Sequence, residues 1–188
     1  MLIPRQKVPA LAVDTLDHGR FELAAETPER GTVVSFYRGL HCPICATYIK
    51  DLEKRVPAFA ERGYGVIAIS SDDEDRARKF ADKIGAERLR IGYGLPLARA
   101  REWGLYISTG KGATSAGVDE PELFPEPGLF VVNRDGTLYA GSVQTMPFAR
   151  PSFAELLGAL DFVIAKDLPG ARGIYRGGLS HHGSDGKA

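Results

Sequence analysis

Cysteine is scarce in this chain, with two residues in 188. That excludes a fold held together by a disulfide framework. A surplus of either charge is missing too, since 24 basic side chains face 24 acidic ones. Nothing in that balance favours nucleic acid or an anionic membrane as partner. Long apolar runs are absent, the longest being pieces such as VIAI and LFVV, so no membrane span is expected. The opening MLIPRQKVPALAVDTLDHG lacks the apolar core and small-residue cleavage site of a secretory signal. The cytoplasm is the compartment expected from this, and no internal repeat is visible.

What is present is an ordinary globular composition, 44% apolar and 26% charged. The length suits one domain with a sizeable core, expected over residues 1–168. The remainder, 169–188, is glycine-rich and polar and is expected to be a mobile tail.

The alternating segments VPALAVDTL and RFELA, joined at His18-Gly19, predict a strand-rich lead-in. TVVSFY reads as a buried strand. Pro43 to about Glu61 reads as a helix, with Ile44, Tyr48, Leu52, Val56 and Phe59 lining one face. GVIAISS is a second buried strand, and Ser71 with Glu74 reads as a capping box before a helix to about Lys83. A helical stretch LARAREWG follows, then an unperiodic loop over 105–126. GLFVVNRDGTLYAGSV is a hairpin turning at Asp135-Gly136, and Ser152–Lys166 is a closing helix. A strand–helix–strand start implies a right-handed parallel crossover, and the hairpin makes the sheet mixed. The fold class expected is α/β, a mixed central sheet with flanking helices.

Both cysteines lie in FYRGLHCPICATYIKDLE, residues 36–53. Cys42 precedes the helix, Pro43 takes its first position, and Cys45 lies one turn in. Residues three apart on a helix are roughly 5–6 Å from each other, so a reversible bridge is within reach. The helix N-terminus favours negative charge, which makes Cys42 the expected thiolate and Cys45 the expected resolver. Arg38 and His41 are candidates for added positive charge. HCPIC is also half of a metal site, to be completed by His18, His181 or His182. Structural zinc usually takes two close ligand pairs, and this chain has one, so no metal or other cofactor is expected. GLYISTGKG misses the phosphate-loop pattern, because glycine follows Lys111 where Ser or Thr belongs. Arg88, Arg90 and the 172–176 segment read as solvated charge, and Trp103 as core.

The CPIC element at a strand-to-helix turn resembles the thioredoxin fold. KVPALAVDTLDHGRFELA, VVSFYRGLHCPICATYIKDLE, YGVIAISSDD and PGLFVVNRDG resemble, more closely, its peroxiredoxin-like branch, the AhpC/TSA or redoxin family. The resemblance implies a three-layer thioredoxin-like fold with an N-terminal strand extension. It implies a thiol-dependent oxidoreductase, using a thiol electron donor and often dimeric. A peroxiredoxin loop reads PxxxTxxC, with the last cysteine attacking peroxide. Here Arg38 stands for the proline, Cys42 for the threonine and Cys45 for the peroxidatic cysteine. Pro127 occupies the place of the peroxide-orienting arginine, where thioredoxin-like disulfide oxidoreductases carry a cis-proline. A cis bond at Glu126-Pro127 is therefore expected, facing the cysteines and offering backbone to an extended substrate. The acid that thioredoxins place six residues before the first cysteine is replaced by Phe36.

Three functions compete. The leading expectation is thiol–disulfide exchange, with Cys42 attacking and Cys45 releasing the mixed disulfide. The second is a thiol peroxidase with Cys45 peroxidatic and Cys42 resolving. The third is a module that binds metal or partner without turnover. The expected site residues are Cys42 and Cys45, tuned or assisted by Arg38, His41, Pro43, Glu126 and Pro127.

Overall fold

A computed structural model describes residues 2–115, 117–168 and 170 of the chain. The tail from 171, with its arginines and His181-His182, lies outside the described residues.

The core of the molecule is a seven-stranded mixed sheet. Strand β3 (Gly31–Phe36) is buried along its whole length, as a central strand of β-branched and aromatic residues should be. It runs parallel to β4 (Tyr64–Ile69), and β4 runs parallel to β5 (Arg90–Tyr93). The other side of β3 pairs antiparallel with β8 (Gly128–Asn133), which pairs antiparallel with β9 (Leu138–Val143). The lead-in strands β1 (Ala12–Thr15) and β2 (Arg20–Glu22) extend the opposite edge, β1 pairing with β5.

Side chains alternate across this sheet and make two cores. Val33, Val66 and Val131 face α1 (Pro43–Glu61), α2 (Glu74–Ile84) and α4 (Phe153–Lys166). Val34, Phe36, Ile67, Phe130 and Val132 face Trp103 at the end of α3 (Leu97–Glu102) and the N-terminal segment. This gives the expected three layers, and Trp103 is core as expected.

Several details differ from the sequence expectations. LRIGYG contains the strand β5. Its Gly92 is required by packing, since a Cβ there would lie 2.9 Å from the Val13 side chain and 3.1 Å from Ile69. The 105–126 segment is not all loop. It forms a small hairpin arm of β6 (Ile107–Thr109) and β7 (Leu123–Pro125), a separate sheet joined to the main body through side chains. On α1 the buried face is Cys45, Ile49, Leu52 and Phe59, while Ile44 is exposed. The face is rotated because the cysteines themselves sit on its buried side. Helix α2 is capped by Asp73, which accepts the Arg76 N–H, and Ser71 donates instead to the Leu95 carbonyl. Arg90 is not solvated charge. It makes a two-pronged pair with Glu26 at 2.7 and 2.8 Å and lies over the Phe21 ring. No helix among the described residues is long and apolar enough to cross a membrane.

Candidate active site

Strand β3 ends at Phe36, and the chain turns through Tyr37–His41 directly into α1. Cys42 is the N-cap with extended backbone, and Pro43 is the first helical residue, where its missing N–H leaves nothing unpaired. The Cys45 N–H donates to Cys42 Sγ at 3.3 Å. Both thiols are free and buried, Cys42 with 2% of its surface exposed and Cys45 with none.

The two sulfurs have opposite electrostatics. The Cys45 thiol donates to Cys42 and holds the Cys42 thiol down at about 6 against the upward push of burial. The Cys45 backbone N–H helps, and the charges of Arg150 and Arg38 add to it. Burial pushes the Cys45 thiol well up, and the neighbouring Cys42 adds to that. The two shifts run in opposite directions, so Cys42 is the thiol of the pair that gives up its proton more readily.

Arg150 is the residue that sequence reasoning missed. It lies between β9 and α4, and its Nη2 donates to Cys45 Sγ at 3.0 Å. Its guanidinium also stacks 4.9 Å from the centre of the Tyr48 ring, whose hydroxyl donates to the Pro151 carbonyl. The buried Nε and Nη1 have no acceptor, and Arg150 pairs with no carboxylate among the described residues. Its charge is balanced by the dithiol itself. In MPFARPSF no periodicity or spacing marks this arginine, because only the fold brings it to the cysteines.

Arg38 sits elsewhere than on the sulfurs. It pairs with Glu120 at 3.2 Å and Glu126 at 3.6 Å, and its guanidinium lies 4.5 Å above the Phe124 ring. Glu126 is buried and accepts the Ser108 hydroxyl at 2.6 Å. Arg38 thus fastens the β6–β7 arm over the loop that precedes Cys42. Asp72 holds the same loop from beneath, accepting the Leu40 N–H at 2.7 Å and pairing with Arg76 at 2.9 Å. A side chain at Gly39 would collide with that carboxylate, which explains the glycine.

Two expectations are corrected here. His41 does not supply positive charge. Burial, reinforced by Arg38, pushes its imidazole down to about 4, so it is neutral near pH 7. The ring packs 4.6 Å from Phe124, and neither nitrogen has a partner among the described residues. The Glu126-Pro127 bond is not cis, and there is no cis peptide among the described residues. The backbone there is already used: the Glu126 N–H donates to the Tyr106 carbonyl, and the Pro127 carbonyl accepts from Gln144. The platform expected for an extended substrate is therefore taken up within the chain.

A dithiol at the strand-to-helix turn of this mixed sheet is the arrangement of a thioredoxin-fold redox protein. The sequence profile of the AhpC/TSA family matches residues 4–140. The chain belongs to the AhpC/TSA family. It is 33% identical over 73 residues to an alkyl hydroperoxide reductase C of Helicobacter pylori. That match covers 39% of this chain and 37% of the relative's length. Among solved structures, Enterococcus faecalis AhpC superposes with TM-score 0.68 at 17% identity, covering 91% of this chain and 99% of that one. Mycobacterium tuberculosis AhpC superposes with TM-score 0.69 at 16% identity, covering 89% and 96%. These structural likenesses carry the fold alone.

Proposed function

We propose that the chain is a two-cysteine thiol peroxidase acting on small hydroperoxides, with Cys42 as attacking thiolate and Cys45 as resolver. The observation that carries this reading is the near-complete burial of the dithiol, with the Cys42 thiol lowered, which favours a small oxidant over a bulky protein disulfide. Membership of the AhpC/TSA family supports it.

Cys42 thiolate attacks one oxygen of the peroxide and the O–O bond breaks. The departing hydroxide or alkoxide takes up a proton, and Cys42 is left as sulfenic acid. The negative charge beside Cys45 is then gone, while the Arg150 charge remains. Cys45 loses its proton more readily and attacks the Cys42 sulfur, expelling hydroxide and closing the Cys42–Cys45 bridge. Two thiols of an electron donor reduce the bridge and are themselves oxidised to a disulfide. Giving the attack to Cys42 departs from the loop alignment, which puts Cys45 in the peroxidatic place. The lower Cys42 thiol is the reason.

A second reading, disulfide exchange by the same Cys42, draws on the lowered thiol at a CxxC helix start. One experiment separates the two. Reduced wild type, Cys42→Ser and Cys45→Ser are mixed with hydrogen peroxide and, separately, with a small disulfide. Fast oxidation by peroxide in wild type and Cys45→Ser, lost in Cys42→Ser, is expected. Peroxide oxidation no faster than an ordinary thiol, with fast disulfide reaction, would overturn the peroxidase in favour of exchange.

A further inference from the structure

A cavity lies on the sheet face opposite the cysteines. Its volume is about 540 Å³, within the range of small-molecule sites. Trp103, Tyr106 and Phe130 give it an aromatic wall, and Leu2 and Val143 add aliphatic surface. Phe130 and Trp103 meet edge to face at 5.1 Å, and Gly141 leaves room for the Phe130 ring, since a Cβ there would lie 2.8 Å from it.

The polar groups of this lining are one-sided. Arg101 stands on its rim with no carboxylate partner among the described residues, while its neighbour Arg99 is paired with Glu102. Among the described residues, no acidic side chain lines the cavity. Another cavity, of about 470 Å³, contrasts with it, since Lys7 and Arg134 are balanced there by Glu22 and Asp135. An aromatic lining with one unpaired cation on its rim and no acid among the described residues calls for an apolar occupant that brings its own anion.

We propose that this cavity is a binding site for a small apolar carboxylate, held by its tail against Trp103, Phe130 and Val143 and by its carboxylate at Arg101. The site is separate from the redox chemistry and does not depend on which oxidant Cys42 meets. It is linked to the redox loop through Phe36, whose ring packs 5.3 Å from Trp103 at the end of β3.

Trp103 is the one tryptophan of the chain and lines the cavity, so its emission reports the site while the dithiol is kept reduced. The full-length reduced protein is titrated with octanoate and, as an uncharged control, octanol. A saturable change in Trp103 emission with octanoate is expected, with octanol weaker. Arg101→Gln is expected to weaken octanoate about fivefold, the scale of one half-exposed ion pair, and to leave octanol unchanged. Val143→Phe fills the cavity and is expected to remove both responses. Arg101 is exposed, so that variant keeps the fold, and its circular dichroism and cysteine alkylation rate verify this. No saturable change with octanoate, or an Arg101→Gln protein that titrates like wild type, would overturn the proposal. Equal affinity for octanol and octanoate in wild type would overturn the carboxylate assignment.

Discussion

Arg150 offers the sharpest test of how the dithiol works. Arg150→Met keeps an apolar stem against Tyr48 and removes the charge 3.0 Å from Cys45 Sγ. Two unit charges about 4 Å apart at an effective dielectric of about 20 interact by about 4 kcal/mol, which sets the ceiling. A charge-assisted hydrogen bond is worth a net ~1.5–3 kcal/mol, the better guide for a partly exposed arginine. That raises the Cys45 thiol by about one to two pH units and leaves about 10- to 100-fold less thiolate. The remaining thiolate is more nucleophilic, which recovers about half of the loss on a logarithmic scale. Bridge closure should therefore slow about 3- to 10-fold. The first step should slow less, because Arg150 ranks behind the Cys45 thiol and backbone N–H in lowering Cys42. Reduced protein is pulsed with peroxide, quenched with dimedone at short times, and the adduct located by mass spectrometry. Arg150→Met should accumulate a Cys42 adduct that wild type does not, and Arg150→Lys should partly restore closure. Closure of Arg150→Met at the wild-type rate would refute the argument, as would an adduct on Cys45.

Other expectations follow from the same contacts. Alkylation of Cys42 by iodoacetamide should rise with pH through a midpoint near 6, because the thiolate is the reacting form. A midpoint above about 8, that of an ordinary thiol, would contradict the charge placement. His41 is neutral when folded, with its imidazole held at about 4 against an ordinary value of 6.5. Its contribution to stability is full above the unfolded value and is lost as pH falls from there toward the folded one, amounting to about 2–3 kcal/mol. Urea midpoints at pH 7 and pH 4 should therefore differ more in wild type than in His41→Phe, and equal pH dependence would contradict it. Glu53, buried in α1, accepts the N–H groups of Arg88 and Leu89, the latter at 2.7 Å. Glu53→Leu strands both donors and should destabilise the reduced protein by about 2–4 kcal/mol in urea unfolding. A loss below about 0.5 kcal/mol would mean that water replaces the carboxylate.

Much of this molecule is decided by local chemistry that the sequence carries on its face. TVVSFY and LFVV are β-branched and aromatic runs bounded by turn residues, so they become buried strands in any compact arrangement. Cys42-Pro43 is a cap followed by a residue that needs no N–H donor, so the helix starts there and its amide end faces the first sulfur. The strand–helix–strand order then fixes the crossover, and the likeness to the AhpC/TSA family follows from motifs that are themselves local.

What depends on long-range contacts was not legible. Strand β5 is four residues long and contains a glycine whose value lies in its contact with Val13 and Ile69, residues far away in the chain. The arm over 107–125 is held by Arg38 on its Glu120 and by Arg76 on its Asp119 carbonyl, two arginines from different segments. Whether His41 carries charge is decided by its burial against Phe124 and by Arg38, since its sequence neighbours leave it an ordinary imidazole. The proline beside Glu126 stays trans in a backbone already paired with Tyr106 and Gln144. The sequence by itself thus determined that two cysteines share one helix start. Only the tertiary structure decided how their charge is divided, because Arg150 reaches Cys45 from 105 residues away and burial acts on the two sulfurs unequally.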